Sequence, residues 1–247
     1  MAKISIDIES VKKGLSEIGY IISDCIERDN NGINWQIKFS NSGASVTIYD
    51  TNDKKNSVVN GKCEPGEKEA LKEIVDLLKC KELEISPKNA EIVELINSKQ
   101  ETEYYDFKQQ WKDDNTGDLL HDILCLANNQ RNRDAYLIVG VTDDHNVIGV
   151  EEWRKSNEIY DYLREVEFAH KTPTVELLRA YYKWLKIDVL EIKGTQDVPY
   201  YLSKHYRQVG TQIYTRNGDT NTPKNKTANY HDVEHLWGIH FGWDKTN

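Results

Sequence analysis

The sequence is poor in thiols, and the few it has are not arranged for chemistry. Its four cysteines, Cys25, Cys63, Cys80 and Cys125, are scattered and include no Cys-x-x-Cys pair. That spacing excludes the common zinc-ribbon and dithiol redox motifs, and reads as reduced bystander thiols. No apolar run approaches the ~20 residues that a membrane-spanning helix needs; the longest are residues 119–127 and 136–141. The opening MAKISIDIES has neither the apolar core nor the small-residue cleavage site of a secretory signal, so a cytoplasmic location is expected. A Gly-x-x-x-x-Gly-Lys-Ser/Thr loop is missing, which excludes a P-loop ATPase. Neither an internal repeat nor a low-complexity tract is present. Positive charge is in deficit, with 32 Lys and Arg against 41 Asp and Glu and a net charge of −9. That balance argues against coating nucleic acid through bulk charge. It leaves open a local basic path leading to an acidic pocket.

What is present suits an α+β protein of one large or two small domains. Residues 1–85 read as a small antiparallel-sheet lobe with flanking helices. Apolar spacing predicts a helix over 11–18, then strands over 20–27, 34–39 and 45–49, with Val58 and Val59 starting a fourth. Asp29-Asn30-Asn31-Gly32 and Asn41-Ser42-Gly43 supply turns between them. A charged amphipathic helix over 68–78 closes the lobe. The order helix, antiparallel strands, helix resembles the TATA-binding-protein-like lobes found beside some ribonuclease domains.

Residues 90–247 read as a second, α/β domain with a mixed or antiparallel sheet. A short amphipathic helix over 90–97 precedes ETEYYDFKQQW, residues 101–111. A helix with a broad apolar face follows over 117–128, then a central strand over 135–141, apolar on both faces. Further expectations are a turn at Asp143-Asp144-His145-Asn146, a returning strand over 147–150 and a helix over 151–168. Strands over 175–182 and 186–192, and a last pair over 198–202 and 212–216, complete the domain.

Several of these segments, taken in order, resemble the Schlafen AlbA-type domain family. They are ETEYYDFK, GDLLHDILCLANN, AYLIVGVTDDHNVIGV, QIYTRNGDTNTP and VEHLWGIHFGWD, together covering roughly residues 90–243. Two departures stand out. Arg133-Asp134 occupies the place of a Gly-Gly common in the family, so that loop lacks glycine's freedom at positive φ. The zinc motif of many animal Schlafens is also missing; His231, His235 and His240 have helical spacing with no cysteine nearby and read as helix-face histidines.

Catalytic members of the family are RNA endonucleases that hold a divalent metal on an acidic triad. The resemblance therefore implies that Glu101, Asp106 and Asp143, with Asp144 as an alternative to the last, hold Mg2+ or Mn2+, and that Lys108 assists. The residue types agree in kind, because hard cations take carboxylate oxygens and stabilise charge at a phosphoryl centre. Asp106 and Lys108 share one face of a strand. Glu101 and Asp106 are five apart, so both can reach one centre only if Glu101 lies before the strand rather than in it. Without the resemblance, the same acid–aromatic alternation also describes an ordinary half-buried strand.

Candidate nucleic-acid contacts are Lys112, Arg131, Arg133, Arg216, Lys224 and Lys226 for phosphates, and Tyr104, Tyr105, Trp111 and Tyr214 for stacking on unpaired bases. The expected partner is RNA of tRNA-like or other structured form, with DNA and a homodimer as further options and no membrane. The leading reading is a metal-dependent endoribonuclease of an anti-phage defence or toxin system. The alternative is a nucleic-acid-binding regulatory module without catalysis.

Overall fold

A computed structural model of the chain describes residues 6–28, 34–49, 56–111 and 116–243. The predicted Asp29–Gly32 turn lies outside the described residues. The chain is α+β and divides into two units, one of Met1–Asn97 with Ala180–Lys186, the other of Ser98–Arg179 with Ile187–Asn247.

The first unit begins with α1 (Ile8–Glu17), whose first turn is capped by Asp7 accepting from the Ser10 amide at 3.2 Å. Strands β1 (Ile22–Glu27), β2 (Asn34–Phe39), β3 (Ala44–Tyr49) and β4 (Val58–Gly61) pair antiparallel in chain order, and α2 (Glu67–Lys79) and α3 (Asn89–Ser98) follow. Leu15, Ile18, Ile37, Val46, Ile48, Leu71 and Val75 form its core and are fully buried. A Cβ at Gly14 would lie 2.7 Å from Leu78, so glycine lets α1 approach α2 closely. This unit ends later than the expected residue 85 and takes in the tip of a hairpin. The physical cause is Asn89, which donates to the carbonyls of Glu17 and Tyr181 and accepts from the Tyr181 amide at 2.7 Å.

The second unit is built on a mixed sheet. Its strands are β5 (Tyr105–Lys108), β6 (Ala135–Val139), β7 (Val175–Tyr182) and β8 (Leu185–Ile192), ordered β5-β6-β8-β7. β5 and β6 are parallel, and β6 and β8 antiparallel. The crossover between the parallel strands is α4 (Thr116–Ala127), whose Leu120, Ile123, Leu124 and Leu126 enter a core shared with Leu137, Leu190 and Ile192. Every residue of β6 is buried, as expected of a central strand.

Three expectations fail here. Residues 147–150 make only an isolated bridge, Val141 to Val147. The helix over 151–168 shortens to α5 (Ser156–Arg164), because the Arg154 amide is drawn to the buried Asp188 carboxylate at 3.1 Å. Segments 198–202 and 212–216 do not pair. The Asn128 side chain accepts from the Tyr200 amide and donates to the carbonyls of Tyr200 and Tyr214, using the groups that a ladder would need. The hairpin that forms instead is β9 (Arg216–Asn217) with β10 (Thr220–Asn221), followed by α6 (Tyr230–Phe241).

Gly140 fixes the exit from β6. Its φ is +112°, its amide donates to the Lys108 carbonyl at 2.8 Å, and its carbonyl accepts from Ile148 and Gly149. A Cβ there would stand 2.9 Å from the Gly149 backbone. Gly140→Ala is expected to destabilise the second unit by about 1–3 kcal/mol, from backbone strain with the clash added. Chemical denaturation compared with wild type measures this.

Candidate functional site

The site begins in the turn between α3 and β5. The Thr102 amide donates to the Tyr105 carbonyl at 3.2 Å, closing a tight turn ahead of the strand. Glu101 therefore lies outside β5, where the parity argument requires it. Its Oε1 accepts from the Phe107 amide at 2.9 Å, folding the side chain back beside Asp106. Asp106 sits in β5 and is 3% exposed.

A buried arginine joins the two carboxylates. Arg216 Nη2 donates to Glu101 Oε2 at 2.8 Å and to Asp106 Oδ1 at 2.9 Å. Its Nε donates to the Thr102 carbonyl at 2.7 Å and its Nη1 to Asn221 Oδ1 at 2.8 Å. All three guanidinium nitrogens are thus engaged, and the residue is 2% exposed. On the other side of Asp106, Lys108 Nζ pairs with Oδ2 and stands 3.5 Å from Asp122 Oδ2. Asn221 Nδ2 donates to Asp122 Oδ1 at 2.8 Å, which ties β10 to α4. Three carboxylates and two cations form one network.

Burial sets the electrostatics. It pushes the Glu101 carboxyl up, and the neighbouring Asp106 charge pushes it further, against the pull of Arg216. Burial also raises Asp122, to about 6, with Lys108 opposing. At Lys108 burial disfavours the ammonium, but Asp122 and Asp106 outweigh it and raise the pKa.

Asp122 and Asn221 were missed by sequence reasoning. Asp122 is a polar position on the apolar helix GDLLHDILCLAN, and that mismatch was the available signal. Asp143 and Asp144 are both exposed, on the turn after β6. Asp143 lines a cleft of about 570 Å³ with Lys99, Gln100, Glu101, His145 and Asp219. Asp143 thus shares a cleft with Glu101, while Asp106 lies buried behind with both oxygens occupied. Among the described residues no three Asp, Glu, His or Cys are grouped as a metal ion would require. The donors facing the cleft still suit a hard cation in kind, because Mg2+ is commonly held by one or two carboxylates plus water and phosphate.

The expected nucleic-acid contacts divide. Tyr214 is fully buried, its ring edge-on to His121 at 4.8 Å and its hydroxyl bonded to the Lys224 carbonyl, so it is no stacking platform. Arg216 is not a surface phosphate contact, because every nitrogen is spent inside. Tyr105 is buried as well, and Trp111 donates from Nε1 to Asp188 while Arg154 covers its ring at 4.9 Å. Arg131 pairs with Glu103 and Lys224 with Asp118. Arg133 is exposed and lies over the Tyr104 ring at 4.0 Å, and Lys226 is exposed. Lys112 lies outside the described residues. In α6, His235 bonds the Gln130 carbonyl at 2.8 Å and His231 is exposed, as helix-face histidines would be.

A protein-family model, described as Schlafen, AlbA_2, matches residues 101–225. The chain belongs to the Schlafen AlbA_2 family. The match spans half of the 247 residues and is centred on the network just described. It opens on Glu101 and contains Asp106, Lys108, Asp122, Asp143 and Arg216, and it ends before α6. This makes the second unit a nucleic-acid-related domain. No curated protein matches the chain. No helix among the described residues is long and apolar enough to cross a membrane.

Arg216→Ala strands two carboxylates beside a vacated buried position and is expected to cost about 3–5 kcal/mol, read from denaturant midpoints. Asp122 gives a pH test. Its folded pKa of about 6 exceeds the unfolded value of 3.8. Protonated, it favours the fold; that stability is complete below about pH 4 and lost as pH rises through 6. Asp122→Asn should therefore gain on the wild type between pH 4 and pH 7, by up to about 3 kcal/mol. Paired melting curves across that range measure the difference.

Proposed function

We propose that the second unit is an endoribonuclease acting on structured RNA with Mg2+ or Mn2+, its scissile phosphate lying in the cleft lined by Glu101 and Asp143. The observation that carries the reading is the Arg216 clamp, which holds Glu101 and Asp106 together across the five-residue separation and leaves Glu101 on the cleft that Asp143 also lines. Glu101 and Asp143, with Asp144 on the same turn, would hold the ion, and Asp106 anchors Lys108 and Arg216 behind them. A bound divalent ion supplies charge stabilisation at the phosphoryl oxygens and a more acidic water. The chain's own residues do the rest. Exposed Lys99 meets phosphate at the mouth of the cleft, the Arg133–Tyr104 stack offers a flat cationic face, and Lys226 adds a further phosphate contact.

A second reading, RNA binding without cleavage, is favoured by one observation: both oxygens of Asp106 are already occupied, by Arg216 and Lys108, and both of Glu101, by the Phe107 amide and Arg216.

Incubation of the whole protein with tRNA and Mg2+ or Mn2+ separates the two. Wild type is expected to cleave. Asp143→Asn, a change at an exposed position, should lose on the order of a hundredfold in rate with its melting temperature unchanged. Glu101→Gln should lose a similar factor. Binding without cleavage by wild type would establish the second reading, and absence of both would end the nucleic-acid one.

A further inference from the structure

The turn after β6 carries an imidazole that neither the acidic network nor the fold uses. The Thr142 amide donates to the Asn146 carbonyl at 2.9 Å, the His145 amide to the Thr142 carbonyl at 2.8 Å, and the Asn146 amide to Thr142 Oγ1 at 3.1 Å. These bonds hold His145 at φ +60°, in the left-handed region. Glycine takes that conformation freely, whereas a residue with a side chain takes it at a backbone cost. Residues held in such conformations cluster at active sites and ligand clamps.

His145 lines the cleft of about 570 Å³ that Glu101 and Asp143 also line. Of the lining residues, Glu101 and His145 are half-buried, while Lys99, Gln100, Asp143 and Asp219 are exposed. One residue of β5 seats both half-buried groups. The Phe107 amide donates to Glu101 Oε1 at 2.9 Å, and the Phe107 ring meets the His145 ring edge-on, centres 5.7 Å apart. Phe107 is itself buried, so the seat belongs to the core. The imidazole nitrogens, in contrast, bond to no described residue. Packing against Phe107 would be served by any ring and needs no nitrogen. The cleft is also short of donors, because Glu101, Asp143 and Asp219 offer only oxygens when ionised. Lys99 and Gln100 supply donors from exposed positions, which leaves His145 as the half-buried donor on the side of Glu101.

We propose that His145 is a substrate-contacting residue, its imidazole N–H donating to an oxygen of the RNA sugar–phosphate backbone seated in this cleft. Phosphate oxygens and the ribose 2′-hydroxyl both accept such a bond. An imidazole carries at least one N–H in either protonation state, so the contact does not depend on its charge. The inference rests on the nucleic-acid reading above and adds to it the residue that grips the backbone inside the cleft.

The test is a binding titration of the intact chain with an RNA hairpin and the DNA hairpin of the same sequence, in Mg2+ and on a time short against cleavage. His145→Gly and His145→Phe should each weaken RNA binding roughly ten- to a hundredfold, as loss of a hydrogen bond to a charged group does. His145→Gly relieves the backbone and should melt no lower than wild type. His145→Phe keeps a ring against Phe107 and removes both nitrogens. An equal loss on RNA and DNA makes phosphate the acceptor, and a loss confined to RNA makes it the 2′-hydroxyl. Unchanged affinity in both variants would overturn the contact while leaving the nucleic-acid reading in place. Full affinity in His145→Phe alone would also overturn it, because packing would then be the whole role of the ring. If wild type binds neither hairpin nor tRNA, the nucleic-acid reading falls and the contact falls with it.

Discussion

The second unit is organised by one guanidinium taken out of water. Arg216 is 2% exposed and holds Glu101, Asp106, the Thr102 carbonyl and Asn221 at once. Burying such a charge costs several kcal/mol unless every proton finds a partner, and the fixed fork of arginine makes that possible where a lysine would not. The requirement runs in both directions. The turn at 101–102, strand β5 and the β9–β10 hairpin must all arrive in register, or a charge is left stranded. Asn221 carries the same constraint to Asp122 on α4, so segments as far apart as residues 101 and 221 are fixed relative to one another by a single network.

A neutral counterpart works close by. Asn128, fully buried at the end of α4, binds the backbone of residues 200 and 214 through its amide. Those segments then have no need of a strand partner. The hairpin that delivers Arg216 begins two residues after Tyr214, whose buried ring and hydroxyl fix the approach. The ionic network and the amide clamp are therefore in series: Asn128 places Tyr214, Tyr214 places Arg216, and Arg216 places the two acids.

Local pattern made much of this legible. The strands over 34–39 and 175–182 have the boundaries expected from the sequence. Glu101 could be placed ahead of β5 by parity joined to the expectation, implied by the resemblance, that it shares a centre with Asp106. Boundaries failed where a side chain replaced the backbone as hydrogen-bond partner, at Asn128 and at Asp188, since periodicity reports burial and not such substitutions. The burial of Tyr214 and Arg216 was illegible for a related reason. Tyr-x-Arg-x-Gly among polar residues has the composition of a surface loop, and only the acids more than a hundred residues earlier make its arginine an interior residue. Asp122 was hidden oppositely, as one polar letter in an apolar helix.

The fate of the cations bears on how nucleic acid would be held. Of the basic residues first assigned to phosphates, Arg216, Arg131 and Lys224 are paired with carboxylates, and Lys108 beside them is shared between two. In a chain of net charge −9, such pairing leaves little positive field to attract a polyanion from a distance. Affinity built from few phosphate contacts would depend only weakly on salt, so the balance has to come from contacts that salt does not screen. Stacking is that kind of contact. Exposed Arg133 over the Tyr104 ring is a surface that could make it. With Arg216 and Arg131 spent on its own carboxylates, the chain would have to hold a polyanion largely by contacts other than phosphate charge.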